Sequence, residues 1–439
     1  MNREEIIDAV REAGIVGAGG GGFPTHVKLL SEVDVVIANG AECEPLLSSD
    51  RYLMETEAGS IVEALRIVRE ITGAGKACIA IKKKYQTAIE ELNKIIGISS
   101  EIELFLLDDY YPAGDELELV YDIAGEAVPE GGIPLDRKVL VINVNTLFNI
   151  SSAVKSSGPV VKRWVTVAGE LEEPYIAQVP IGISAGQLID NAKPRIRDYS
   201  ILAGGVMMGK LVDKDFRITK VSGGIIVLPD DNPAVTKRSI DTSIQEKRAK
   251  SVCDQCFDCT ILCPRNLLGH DISPHLIMRN LFLSGPVGVH LTNAYLCSEC
   301  GLCDMYACPM DLSPRRMLTR TKEKLKENNI INPHNNSVAE IHGERDFRRV
   351  PQKRLMERLA ISGYDRNNYP VKEIIATEVA IPLLQHAGLA AVPVVKKGEK
   401  VKTGDLIADI PEGKLGARVH ASINGKITEV ESNCISIRA

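Results

Sequence analysis

The chain has 439 residues, 44% hydrophobic and 25% charged, with a formal net charge of −6. That length exceeds one ordinary core and predicts several domains. The acidic balance, a single tryptophan and seven phenylalanines argue against a nucleic-acid partner, which needs a basic surface and stacking rings. The first residues, MNREEIIDAVREAG, mix acids with apolar positions and lack the apolar core of a secretory signal. No apolar run reaches the roughly 18 residues of a membrane span. Eleven cysteines, odd in number and clustered, argue against disulfides and for reducing, cytoplasmic surroundings.

In chain order, Ile6, Ile7 and Val10 have helical spacing over 3–13, with Gly14 as a stop. A glycine-rich loop, GAGGGGFPTH (17–26), leads into the strand-like run VDVVIANG. A helix over 53–72 follows, then strands at 77–81 (ACIAI), 102–107 (IELFLL) and 138–145 (KVLVINVN). Strands alternating with helices predict a parallel α/β sheet for about residues 1–150. Lys82–Lys84 reads as a solvated face. From Trp164 the runs WVTVAGEL, YIAQVPIG and ITKVSGGIIVLP predict a small mixed β module. Residues 231–250 read as a polar linker and 251–325 as a helical cysteine region. Residues 326–372 read as a polar connector that wraps the surface or packs loosely. In 374–439 short strands alternate with glycine turns at Gly398, Gly404, Gly413 and Gly425, which predicts a small barrel or sandwich.

The cysteines carry the strongest chemical signal. Cys253-x-x-Cys256-x-x-Cys259-x-x-x-Cys263-Pro264 is followed by Cys297-x-x-Cys300-x-x-Cys303-x-x-x-x-Cys308-Pro309. Two intervening residues let consecutive thiolates converge on one cubane, and in two-cluster ferredoxins the fourth ligand belongs to the other cluster. The expected sets are therefore Cys253, Cys256, Cys259 and Cys308 for one [4Fe–4S] cluster, and Cys297, Cys300, Cys303 and Cys263 for the second. The second motif has one extra residue before its last cysteine. Two structural zinc sites are the competing reading, but zinc does not call for a repeated CxxCxxC followed by Cys-Pro. Cys43, Cys78 and Cys434 are left without a role.

The loop Gly17-Ala18-Gly19-Gly20-Gly21-Gly22 satisfies GxGxxG, yet a helix rather than a strand precedes it, so the pattern alone is weak. Its physical content remains: residues without Cβ let backbone N–H groups approach a phosphate or a flat ring. Lys28, about one turn on, could neutralise phosphate.

GAGGGGFPTHVKL (17–29), IANGAECEP (37–45), YPAGDE (111–116), VPEGGIPLD (128–136), NVNT (143–146) and AGGVMMG (203–209) occur in one order with the cysteine region after them. This series resembles the RnfC family and, more distantly, the flavin-carrying NADH dehydrogenase subunit of respiratory complex I. The resemblance implies a multidomain α/β protein: a Rossmann-like FMN/NADH domain (1–155), a soluble-ligand-binding (SLBB) β-grasp domain (156–235) and a helical ferredoxin-like dicluster domain (245–325). A polar connector (326–372) and a barrel-sandwich hybrid domain (373–439) complete it. RnfC proteins carry the last domain at the N-terminus, whereas here the similar segment is C-terminal. That order is similar to the family's cobalamin-reducing branch of propanediol-utilisation microcompartments, and proline-reductase-associated members share much of it.

For the site, the resemblance implies FMN held by Gly17, Gly19, Gly20, Gly21 and Gly22, with Phe23 against a ring. Lys28, Asn39, Asn143, Asn145 and Thr146 would supply hydrogen bonds, and Glu42 and Glu44 would lie near NADH. Two [4Fe–4S] clusters would pass electrons to a low-potential acceptor: cobalamin, a cobalamin-carrying protein or another redox protein. A relay component of a larger complex, without terminal activity, is the second reading. His270 and His275 read as capping or surface residues.

Overall fold

The computed structural model describes residues 1–97, 101–280, 289–338, 340–366 and 368–439. Asn2 caps the helix Arg3–Glu12 by accepting from Glu5 N, and Glu5 returns the bond in a capping box. Ile6, Ile7 and Val10 turn inward from that helix. Gly14, at φ +64°, then reverses the chain.

The first sheet contains β1 (Val35–Gly40), β2 (Lys76–Lys82), β3 (Ile102–Leu107) and, after the two-residue β4 (Tyr110–Tyr111), β5 (Val139–Asn143). Its order is β3-β2-β1-β5, and every pairing is parallel. The central strands are near-continuous apolar runs because helices cover both faces. The helix expected over 53–72 is two helices, Ser49–Thr56 and Ala58–Ile71, broken at Glu57 (φ −122°). Lys82 corrects the expectation of a solvated face. Its side chain is fully buried, and its Nζ donates to Asp109 Oδ1 at 2.9 Å and to Gln352 Oε1. Only Lys83 and Lys84 reach solvent.

The β module holds β6 (Lys162–Gly169), β7 (Tyr175–Pro180), β8 (Tyr199–Ala203), β9 (Lys210–Val212) and β10 (Gly224–Pro229). Their order is β7-β6-β10-β8-β9. The β6–β10 pair is parallel, the other pairs are antiparallel, and the helix Ala185–Ala192 packs across the sheet. The supposed linker 231–250 is two helices, Pro233–Ser239 and Thr242–Val252, capped by the Asn232 and Asp241 side chains. Its polar texture reflects caps and a first-turn proline.

The connector is not loose. Its β11 (Val350–Pro351) pairs with β4, and Leu355, Leu359 and Ile361 are fully buried. Arg345, 4% exposed, bonds Asp122 Oδ1 at 2.8 Å and Glu118, whose carboxyl is pushed up to about 7 by burial. This polar segment straps the flank of the first domain through a buried ion group, the wrapping alternative of the two that its composition leaves open.

After the strap come β12 (Glu378–Pro382), β13 (Val392–Pro393), β14 (Lys400–Val401), β15 (Leu406–Asp409), β16 (Val419–His420), β17 (Gly425–Val430) and β18 (Cys434–Arg438). They form two antiparallel sheets, β12-β18-β17-β14 and β13-β15-β16. This unit leans on the start of the chain. Arg418 pairs with Glu12, and buried Lys220 of the β module donates from Nζ to both Gly14 O and Arg418 O at 2.6 Å. Burial pushes the Lys220 ammonium down to about 7. Among the described residues no helix is long and apolar enough to cross a membrane.

Candidate functional site

The glycine loop lies over the carboxyl ends of β1 and β5, where an open α/β sheet places its ligands. Asn39 and Asn143 are partners in the register of those strands. A Cβ built on Gly19 would sit 3.5 Å from Asn143 Cβ, whereas Cβ atoms on Gly20 or Gly21 would meet nothing within 4 Å. Gly19, Gly20 and Gly21 therefore offer bare, exposed backbone. Gly17 N bonds Phe23 O and Gly22 N bonds Gly17 O, which closes the loop on itself. Thr146 Oγ1, at the start of the helix Val144–Ser156, accepts from Ala18 N at 2.9 Å. Lys28 Nζ reaches Val141 O (3.4 Å) and Glu116 (3.7 Å). Open backbone beside one cation and two strand ends fits a phosphorylated flat ring.

The asparagines shape the crevice by satisfying backbone groups. Asn39 donates to Gly114 O and accepts from Ala41 N. Asn143 caps the following helix through Asn145 N and donates to Asp50 Oδ2 at 2.6 Å. Asn145 and Thr146 are buried. The two glutamates lie in different places. Glu42, at φ +39°, accepts from the backbone N–H groups of Asp50 and Arg51. Burial, then the Asp50 charge, raises its carboxyl to about 8. Glu44 instead accepts from Met207 N (2.9 Å) and Met208 N (2.8 Å), tying the first domain to the β module.

Sequence reading missed Arg163. This β6 side chain, 3% exposed, donates from Nε to Ser222 O and from Nη2 to Ala18 O at 2.9 Å. Its Nη1 and Asp50 Oδ1 are buried with no hydrogen-bond partner among the described residues. A strand arginine amid apolar residues carries no signal that it will brace a loop 145 residues upstream.

The cysteines gather in two neighbouring groups. Cys253, Cys256, Cys259 and Cys308 line one pocket with Gln255, Phe257, His275 and Met310. Cys297 and Cys300 sit near Cys263, each opposing the ionisation of its neighbours, and Cys303 feels Cys297 and Cys300 in the same way. Burial is the larger cause, and it pushes Cys263 up to about 12. Each motif repeats one backbone trick. Gln255 (φ +58°) and Glu299 (φ +60°) are left-handed, as are Phe257 (φ +68°) and Gly301 (φ +81°) two residues later. Cys253 Sγ accepts from Gln255 Nε2 at 3.1 Å, and Cys297 Sγ accepts from Glu299 N at 3.3 Å. His270 Nε2 contacts Val128 O at 3.0 Å and His275 Nδ1 contacts Thr260 Oγ1 at 2.7 Å, both in structural roles.

Fold and sites together define an iron–sulfur flavoprotein oxidoreductase. Residues 10–152 match the family model of the Nuo51 FMN-binding domain, 252–313 a 4Fe-4S dicluster domain, and 365–438 the RnfC barrel sandwich hybrid domain. The chain is 38% identical over 446 residues to cobalamin reductase PduS of Salmonella typhimurium, covering 100% of this chain and 97% of that one. It is 34% identical over 274 residues to one component of the Na(+)-translocating ferredoxin:NAD(+) oxidoreductase complex of Acetobacterium woodii, covering 61% of this chain and 59% of that one. In fold it is similar to an NAD+-reducing [NiFe]-hydrogenase, with a TM-score of 0.51 at 18% identity over 74% of this chain and 67% of that one. The chain belongs to the RnfC-like family that includes the PduS cobalamin reductases.

Proposed function

We propose that this protein is an NADH-dependent reductase that delivers single electrons to cobalamin. The observation that carries the reading is a shared loop. YPAGDE (111–116) borders the glycine crevice through Gly114 O and Asn39. The same loop grips the cysteine region, with Tyr111 Oη donating to Cys300 O at 2.6 Å and Asp115 pairing with Arg265 at 2.6 Å. A two-electron site and a one-electron site thus meet on one short segment.

When bound, FMN would exchange the hydride pair of NADH for single electrons that two [4Fe–4S] clusters can carry. Gly17 and Gly19–Gly22 leave space for the ring and phosphate, Lys28 supplies the cation, and Asn39, Asn143 and Thr146 fix the walls. Phe23 flanks the loop. Glu42, anchored at the start of the helix Ser49–Thr56, borders the nucleotide side, and Glu44 locks the β module alongside. Cys253, Cys256, Cys259 and Cys308 hold one cluster, and Cys263, Cys297, Cys300 and Cys303 the other. Burial favours the protonated thiols of Cys259 and Cys308 in one set and of Cys263, Cys297, Cys300 and Cys303 in the other, so assembly of each cluster releases protons.

The domain plan we favour is 1–155, 156–235, 245–325, 326–372 and 373–439. The strand order β7-β6-β10-β8-β9 with one packed helix supports a β-grasp (SLBB) identity for the second. The likeness to PduS supports a cytoplasmic place, within a microcompartment, and cobalamin presented free or on a carrier protein.

Anaerobically purified protein should contain about eight iron atoms and about one FMN per chain, and NADH should bleach its visible spectrum. Iron without flavin or bleaching would reduce the protein to a cluster relay and overturn the reading of the glycine crevice.

A further inference from the structure

The two cysteine groups are not equivalent in their surroundings. The group of Cys263, Cys297, Cys300 and Cys303 faces the flavin domain. Cys300 is buried, and Tyr111, 1% exposed, bonds its carbonyl. Arg265 beside Cys263 reaches Asp115 of the same flavin-domain loop. The group of Cys253, Cys256, Cys259 and Cys308 has a buried member too, Cys308, but it reaches the surface at Cys256. Cys256 is exposed, Phe257 is 48% exposed and Met310 38%. Cys259 lies within one short helix, Asp258–Ile261, and Cys263 stands just past its end; they belong to opposite groups, so that single turn of chain joins them.

Phe257 is the telling residue. Its backbone is left-handed at φ +68°, a region disfavoured for a bulky side chain. The matching position of the second motif is Gly301, at φ +81°. Glycine satisfies that turn without strain, so the phenylalanine is present despite the local geometry. Strain of this kind points to use of the side chain. The ring packs edge-on against His275, centroids 4.5 Å apart at 72°, which fixes it over the pocket that Cys253, Cys256, Cys259 and Cys308 line.

We infer that electrons enter at the inner cysteine group and leave through the outer one, and that Phe257 is the surface against which the corrin acceptor rests. This rests on the reductase reading above. A half-exposed aromatic ring beside a thioether offers a flat apolar contact for a conjugated macrocycle. One NADH, oxidised to NAD+ with release of one proton, supplies two electrons. They leave singly and reduce two Co(II) centres to Co(I).

The test compares wild-type protein with Phe257→Gly, which relaxes the backbone as Gly301 does, and with Phe257→Tyr, which keeps the ring. The glycine variant should retain wild-type iron content and both cluster signals in electron paramagnetic resonance after dithionite. Its rate of cob(II)alamin reduction should fall at least about tenfold, and Phe257→Tyr should restore it. Cys297→Ser should leave an outer cluster that dithionite reduces and NADH does not. Cys256→Ser should leave an inner cluster that NADH still reduces. A glycine variant with wild-type corrin reduction, or one impaired only toward a redox protein, would overturn the assignment of Phe257. An outer cluster reduced by NADH without the inner one would overturn the order. If NADH fails to bleach even the wild-type protein, the reductase reading falls, and dithionite-driven corrin reduction still decides the role of Phe257.

Discussion

Between Cys253 and Cys308 the chain supplies every proposed cluster ligand itself, from short turns whose left-handed residues aim the thiols. The glycine crevice is assembled from afar: Gly17–Gly22, Asn39 and Asn143 form it, Arg163 braces it from the β module, and Ala387 N bonds Gly22 O from the C-terminal unit. A locally encoded site depends on its cofactor for order, because thiols held apart gain stability only when the cluster joins them. A site built between domains depends on docking, and its weak points lie far from the ligand.

The largest effect should come from separating the two. Stripping iron with a chelator should open residues 251–313 to proteolysis while the flavin stays bound and the parallel sheet stays folded. Loss of flavin in parallel would show that the crevice leans on the clusters. Next, Gly20→Val places a β-branched side chain at φ +109°, over the open part of the loop. FMN affinity should fall on the order of a hundredfold, and the strained backbone should also lower stability by about 1–3 kcal/mol. Arg345→Ala leaves Glu118 buried without its guanidinium, Arg349 still holding Asp122, and should cost about 3 kcal/mol in denaturant titration. Lys220→Met strands the carbonyls of Gly14 and Arg418 and should cost about 2 kcal/mol, with earlier proteolytic release of residues beyond 373.

The smallest effect concerns pH. Glu42 keeps its proton in the folded chain up to about 8, whereas the unfolded chain releases it near 4.5. The folded state therefore binds the extra proton across that window. The contribution of Glu42 is complete below it and declines as pH rises toward 8. Glu42→Gln should flatten stability between pH 5 and 8 and gain on the wild type toward the upper end.

Much of this was readable in residues because the informative patterns were local. Cysteine spacing points to two groups with crossed fourth members, and Cys308 does stand beside Cys253 and Cys263 beside Cys297. Alternation of apolar runs gave the parallel strands to within a residue or two at β2, β3 and β5. What escaped was determined by tertiary partners. Lys82 looks like its neighbours Lys83 and Lys84, yet the strap brings Gln352 over it from 270 positions away. The strap itself reads only as a polar connector, wrapped or loose, because its stabilising contacts are ion pairs with Glu118 and Asp122. Glu42 and Glu44 stand two residues apart, but opposite hydrogen-bond partners send one to a helix start and the other to the β module.

The contact of Arg418 with Glu12 and Gly14 bears on how the family rearranges its chains. The barrel-sandwich segment follows the cysteine region here, whereas RnfC proteins begin with it. A unit already resting against the first helix needs only a short tether to either chain end. Moving its coding segment from one end to the other would resemble a circular permutation, keeping the interface and changing only which peptide bonds connect it.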